Sequence, residues 1–443
     1  MIQGRGSFAS RLGFILAAAG SAIGLGNIWK FPYLAGANGG AAFLIVYLGI
    51  VFTIGISIML AEFAIGRAGE KNPVGAFKHL KGGAWVGVGY MGVAAGFVIL
   101  SFYSVVGGWT IAYAVKTAGG LLQLADAKAF GQAFGAFVSD SLAPVVYHGV
   151  FMAMTVAVVA RGIERGIELA CRVLMPMLFV LVVVLCVRSL TLPGAMAGVK
   201  FFLNPDFSKV TGTMITAALG QAFFSLSLGM GALITLGSYL SRQTHLPTSA
   251  LWVTSLDTLI AVLAGFMVLP AVFAFGFDPG AGPGLTFITL PAVFAKMPWG
   301  AAFGTLFFVL LVVAALTSAI SLLEVVVAFL VDEKGWRRAK AAVGAGAVIF
   351  LLGIPSSLSL GVWSDYKLFG KGFFDLMDYV ASNVMLPLGG TLIAVFVGWV
   401  VTPRIMTEAS RADGRLFALA PAWRVVCRYV APVGVSWVLI SGL

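Results

Sequence analysis

Two apolar stretches of this 443-residue chain are interrupted by glycine beside hydroxyl and amide side chains. The first reads AAAGSAIGLGNIWKFP, with Gly20, Gly24 and Gly26 next to Ser21 and Asn27. The second reads GQAFFSLSLGMGALITLGSY, with Gly229 and Gly231 next to Ser225 and Ser227. A helix that unwinds at such a cluster frees carbonyl oxygens, which coordinate cations, and exposes a helix N-terminus whose amides attract a carboxylate. Either cluster alone also fits close packing, since Gly20 and Gly24 form a GxxxG pair of the kind found at membrane helix interfaces. The two together, at matching places five spans apart, fit the discontinuous helices of an inverted five-plus-five repeat around a midplane site.

The elements holding these clusters are set by composition. Apolar residues make up 60% of the chain, charged ones 10%, and mean hydropathy is +1.02. A soluble domain carries about a quarter charged residues, so that class is excluded. Eleven apolar stretches are long enough to cross a hydrocarbon core of about 30 Å. They cover approximately 11–36, 41–67, 86–117, 145–161, 167–190, 213–240, 248–276, 297–330, 339–355, 376–401 and 424–442. What remains is too short for a second core. We therefore expect an all-α membrane protein with one transporter domain over 1–443: repeat one at 11–190, repeat two at 213–401, and an eleventh helix at 424–442. Segments 118–144 and 191–212 read as ordered outer loops, and 277–298 as an outer hairpin tucked against the bundle.

Other functions find little support. Cys171, Cys186 and Cys427 have neither CxxC nor metal-ligand spacing, and His79, His148 and His245 are scattered. Within the spans there is no HExxH motif, no serine with a histidine nearby and no cysteine pair, so neither an enzyme nor an organic cofactor is expected. The net charge of +11 does not point to nucleic acid. With the N-terminus inside, the inner connections hold 19 of the 28 basic residues. That is the positive-inside bias, with a cytoplasmic N-terminus and, after an odd number of spans, an outer C-terminus in a bacterial inner membrane.

The run RLGFILAAAGSAIGLGNIWKFPYLAGANGGAAFLIVY, with AEFAIGR closing span 2, resembles the signature of the neurotransmitter:sodium symporter family. LSFYSVVGGW in span 3, GQAFFSLSLGMG in span 6 and AALTSAISLLEV in span 8 extend the resemblance, in order, along almost the whole chain. It implies the leucine-transporter fold, two Na⁺ ions, and an amino acid substrate carried across a lipid bilayer by a monomer or weak homodimer.

By the same resemblance, one Na⁺ lies among the carbonyls of Gly20, Ile23 and Ala314 and the hydroxyls of Thr317 and Ser318. Helical spacing puts positions 314, 317 and 318 on one face, and neutral oxygens suit a hard monovalent ion. Both hydroxyls can also bond back to their own helix. The second Na⁺ is implied between the Ala22 carbonyl, the Asn27 amide oxygen, Ser225 and Asp257, with the substrate carboxylate completing the shell.

Asp257 stands where the leucine transporter has asparagine, and Ala261 where relatives carry an acid or serine. A carboxylate at midplane costs roughly 2.5–3.5 kcal/mol on insertion scales, so it should face a cavity and a cation. We expect its charge to make transport chloride-independent, although Tyr47, Gln221 and Ser225 match other members of the family's chloride site.

The substrate carboxylate is implied at the amides of Leu25 and Gly26 and the Tyr103 hydroxyl. Its ammonium falls at the carbonyls of Ala22, Phe224 and Ser225. The side-chain pocket would comprise Ile99, Tyr103, Phe224, Ser227, Met230, Ser318 and Leu322. It carries no charge, so charged substrates would be desolvated without partners. Neutral hydrophobic L-amino acids follow, and the flexible Met230 favours large and aromatic guests. Lys30 and Asp378 would latch the outer side above a Tyr103–Phe224 lid, with Arg5 and Asp332 on the inner side; the same charges also suit ordinary headgroup contacts. Glu62 is implied as a brace for the unwound segments, and Glu324, two turns beyond Thr317, is expected to bond free backbone amides.

A Na⁺ channel, a non-transporting amino acid sensor, or a carrier of another small zwitterion would share parts of this pattern. Accumulation of solute against its gradient separates a symporter from the first two.

Overall fold

The computed structural model describes residues 6–124, 126–280, 284–414 and 416–442. Among them the chain is helical, without strands, and an isolated bridge pairs Leu368 with Lys371. Among the described residues nine helices are long and apolar enough to cross a membrane, and Arg11–Ala22 with Gly26–Ala37 forms a tenth span bent by 49°. The sixth span is divided further, into Gly212–Ser225 and Ala232–Gly237, each half too short to cross alone. Counted by chain path, these are the eleven expected spans.

The breaks have local causes. In span 1 the helix stops at Ala22, Ile23 turns extended (φ −75°, ψ 101°), and a wide π-type turn resumes at Gly26. In span 6 the chain passes through left-handed backbone at Ser227 (φ 56°), Gly229 (φ 81°) and Gly231 (φ 75°). Glycine adopts that region without steric cost, whereas a serine there is strained. Ser227 is held by its own hydroxyl, which donates to the Ser21 carbonyl at 2.8 Å and so joins the two breaks.

Burial orders the bundle. The enclosed share of the apolar window falls from 83% in span 8 (Gly300–Lys334) and 72% in span 3 (Gly83–Ala118) to 22% in Ala420–Ser441. Spans 3 and 8 therefore stand at the centre beside the broken pair, and span 11 faces lipid.

Several connections are helical where loops were expected. Ala127–Ser139 lies in the first long outer connection and Ala195–Leu203 in the second. Pro73–Leu80 and Thr402–Ala409 lie at the opposite end. The 277–298 segment folds into Leu285–Thr289 and Leu290–Ala295, whose apolar side chains are buried against the bundle. We call the end carrying Arg11 the inner end.

Candidate functional site

At the first break, span 8 aims two hydroxyls at span 1. Thr317 Oγ1 lies 3.0 Å from the Ala314 carbonyl and 3.4 Å from that of Ile23. Ser318 Oγ lies 3.1 Å from the Ser21 carbonyl and 3.4 Å from that of Gly20. All five oxygens named from the resemblance are gathered here, and Ser21 adds another that sequence reasoning omitted. Gly20 permits the approach, since a Cβ there would come within 3.2 Å of Thr317 Cβ. Both hydroxyls are buried among carbonyls, a donor set matched to a hard monovalent cation.

A second polar cluster lies where spans 1, 6 and 7 meet. Asn27 spans the first break: its amide oxygen accepts the Gly24 N–H at 3.1 Å. Its amide nitrogen donates to Ser225 Oγ at 2.9 Å and Asp257 Oδ1 at 2.8 Å. The expected arrangement had the oxygen facing that pair. Here it is the nitrogen, because the Gly24 amide, freed by the break, claims the acceptor. Ser225 Oγ donates to the Asp257 carboxylate at 3.0–3.1 Å, and Tyr47 Oη donates to Ser225 Oγ at 3.3 Å. Gln221 donates to the Gly26 carbonyl at 2.7 Å, leaving its own side-chain oxygen buried and unpartnered. Asn27, Ser225 and Asp257 are fully buried, and Ala22 is the last residue of its half-helix.

Between the clusters is a cavity of about 20 Å³. The expected pocket residues line it except Leu25, which faces the vestibule above, and Ser225, which belongs to the carboxylate cluster. Ser21 and Gly24 line it as well; their place inside the broken segment was the signal available. Among the described residues, no charged side chain is part of its walls. The space suffices for about one water, so this conformation must expand to admit an amino acid. The Leu25 amide donates to Tyr103 Oη at 3.3 Å.

Tyr103 and Phe224 border both this cavity and an outer vestibule of about 320 Å³, where Lys30 and Asp378 also lie. The two charges do not meet within 4 Å: Lys30 Nζ sits 4.7 Å above the Phe224 ring, and Asp378 accepts from Ser382 Oγ at 2.8 Å. At the inner end, Arg5 falls outside the described residues. Its expected partner Asp332 accepts from the Asn72 backbone amide at 2.8 Å.

Three buried acids have defined partners. Glu62 Oε1 accepts the Gly229 N–H at 2.7 Å, inside the second break. Glu324 corrects the expectation made for it: it binds the Tyr239 hydroxyl at 2.6 Å and forms an ion pair with Arg338, instead of bonding free amides. The Arg338 guanidinium opens the next span and outcompetes neutral donors for a buried carboxylate. Glu168, which sequence reasoning passed over, accepts from Ala9 N–H at 2.7 Å, Ser10 Oγ at 3.1 Å and Arg172 at 2.6 Å. It thereby clasps the inner end of span 1 to span 5.

A broken-helix bundle around an uncharged cavity, with oxygen-rich clusters on either side, is the architecture of a coupled membrane carrier. A sequence model of the sodium:neurotransmitter symporter family matches residues 5–128 and 145–443, and the chain belongs to that family. It is 43% identical over 436 residues to an uncharacterized sodium-dependent transporter, YhdH, of Bacillus subtilis (strain 168), covering 98% of this chain and 97% of that one. An uncharacterized sodium-dependent transporter of Haemophilus influenzae is 38% identical over 99% of this chain and 98% of its own. The crystal structure of MhsT in complex with L-phenylalanine superposes with a TM-score of 0.91 at 48% identity, covering 99% of this chain and 100% of that one. The protein is thus a multi-pass, sodium-dependent symporter with the leucine-transporter fold, and not an enzyme.

Proposed function

We propose that the protein couples two Na⁺ ions to the uptake of neutral, hydrophobic L-amino acids, large and aromatic ones included. The carrying observation is the cavity walled by Ile99, Met230 and Leu322 without a charged side chain, between backbone left free at both breaks. A zwitterion can place its carboxylate on the Leu25 and Gly26 amides and Tyr103, and its ammonium on the Ala22, Phe224 and Ser225 carbonyls. An aspartate or lysine side chain would meet no counter-charge, at a desolvation cost of several kcal/mol. The binding of L-phenylalanine by MhsT supports this reading.

Coupling has a physical basis in the shared cluster. One Na⁺ among Ala22, Asn27, Ser225 and Asp257 touches the substrate carboxylate, so each charge lowers the cost of burying the other. It requires the Asn27 amide to turn its oxygen toward Asp257, releasing the Gly24 N–H. The other ion, among Gly20, Ile23, Ala314, Thr317 and Ser318, joins span 1 to span 8. Closure of Tyr103, Phe224 and the Lys30–Asp378 latch occludes the site. Spans 1, 2, 6 and 7 then rock against the rest, with the N-terminus cytoplasmic and the C-terminus outside.

Purified protein in liposomes should accumulate labelled phenylalanine or leucine under an inward Na⁺ gradient and not under K⁺; equal binding in K⁺ would refute the coupling. Thr317→Ala with Ser318→Ala should raise the Na⁺ concentration for half-maximal binding about tenfold or more. An unchanged Na⁺ dependence would remove the ion from that site. Uptake should persist when gluconate replaces chloride, because Asp257 supplies the negative charge; collapse in gluconate would contradict that role.

A further inference from the structure

Away from the transport path, two grooves lie along the inner half of span 2. The first, of about 700 Å³, is bordered by Arg67, Lys71, Arg242, Arg404 and Arg411, with Glu70 and Glu408 as its carboxylates. Five basic side chains against two acids leave an excess of three positive charges. Arg67 is immobilised: its side chain is fully buried, its Nε bonds Glu408 at 2.6 Å, and its remaining nitrogens hold the Thr244 and Glu408 carbonyls. Arg242 and Arg411, paired with Glu70 and Glu408, keep 63% and 45% of their side chains exposed.

The second groove, of about 400 Å³, is almost wholly apolar and lies between spans 2, 7 and 11, with Phe52, Ile56, Leu60, Leu251, Leu419 and Val426 among its walls. Span 2 borders both, residues 403–411 edge the first and 417–426 the second, and the Phe417 N–H on Ser410 Oγ at 3.4 Å ties these two stretches together. Leu60 and Arg67 are seven residues apart on one helix, about 10 Å along its axis. With Arg67 at headgroup level, the apolar groove therefore lies at acyl-chain depth.

We propose that the paired grooves bind one anionic glycerophospholipid of the inner leaflet. Its phosphate lies among the basic side chains and an acyl chain fills the slot between spans 2, 7 and 11. The apolar slot argues for a lipid over a soluble anion, and the charge excess argues for an anionic headgroup over a zwitterionic one.

Delipidated, detergent-purified full-length protein tests this. Phosphatidylglycerol should raise the melting temperature saturably and leave one lipid bound in native mass spectrometry, while phosphatidylcholine with the same chains should do neither. Lys71→Gln with Arg404→Gln should weaken the phosphatidylglycerol midpoint roughly thirtyfold. Leu251→Trp, which fills the slot from an exposed position, should abolish retention while leaving the lipid-free melting temperature in place. Equal stabilisation by both lipids, or an unchanged midpoint in the double variant, overturns the proposal. Glycerol phosphate stabilising as well as the lipid would overturn it too, by showing a site for soluble anions.

Discussion

Asp257→Asn should raise the Na⁺ concentration for half-maximal substrate binding at least tenfold. The Asp257 carboxylate is fully buried, and its partners among the described residues are the neutral donors of Asn27, Ser225 and Tyr47. A buried charge without a counter-charge is costly, and removing one member of a buried ion pair typically costs several kcal/mol. A Na⁺ ion held by this carboxylate would therefore lose more than the roughly 1.4 kcal/mol that separates decades of affinity. Asparagine conserves the volume, so the fold should survive. The competing possibility is that Asp257 acts as a neutral hydrogen-bonding link, in which case asparagine would leave the Na⁺ dependence in place. Chloride should partly restore the variant relative to gluconate, because the Tyr47 and Ser225 hydroxyls stay adjacent and can donate to it. Substrate binding measured against Na⁺ in both anions decides between the two.

The second large effect is expected at Gly24→Ala, with uptake reduced thirtyfold or more. A Cβ there would lie 2.4 Å from Ser318 Oγ and 2.9 Å from Tyr103 Oη, inside van der Waals contact with both. The methyl would fill most of the space between the breaks, and overpacking of this kind costs about 1–3 kcal/mol even before a substrate competes for the room. Backbone strain is not the cause, because Gly24 is not left-handed. Gly49→Ala is the control: nothing lies within 4 Å of the added carbon, so uptake and melting temperature should match the parent. Near-normal uptake by Gly24→Ala would mean that the substrate binds elsewhere.

Much of this was legible because membrane physics writes it into the sequence. Long apolar runs announce spans: 86–117 is realised as Val86–Ala118, and 248–276 as Leu246–Ala274. Glycine beside serine or asparagine marked both breaks, since an unwound turn needs small residues and substitute hydrogen-bond partners. The short helices were missed for the opposite reason. Ala127–Ser139 and Pro73–Leu80 are too short to register as apolar runs, although Asp126 and Asn72 cap them with side-chain oxygens that accept N–H groups of the first turn. Partner choice was the other blind spot. Spacing set Glu324 on the same face as Thr317, but whether it met an amide or a guanidinium depended on where span 9 begins, and that is a tertiary fact. Glu168 was overlooked because it lies at a span end, where an acid ordinarily faces water; only the packing of Gly13 against its carboxylate shows how deeply it is enclosed.

The uneven closure of the two ends bears on energy conservation. Glu168 grips Ala9, Ser10 and Arg172 below, while Lys30 and Asp378 stay apart above. With the inner end toward the sodium-poor compartment, as proposed, a carrier in this posture would keep its door shut on that side, and ions would not slip downhill alone and short-circuit the cell's battery. Loosening the grip of Glu168 would then turn a tight machine into a leaky one before it slowed it.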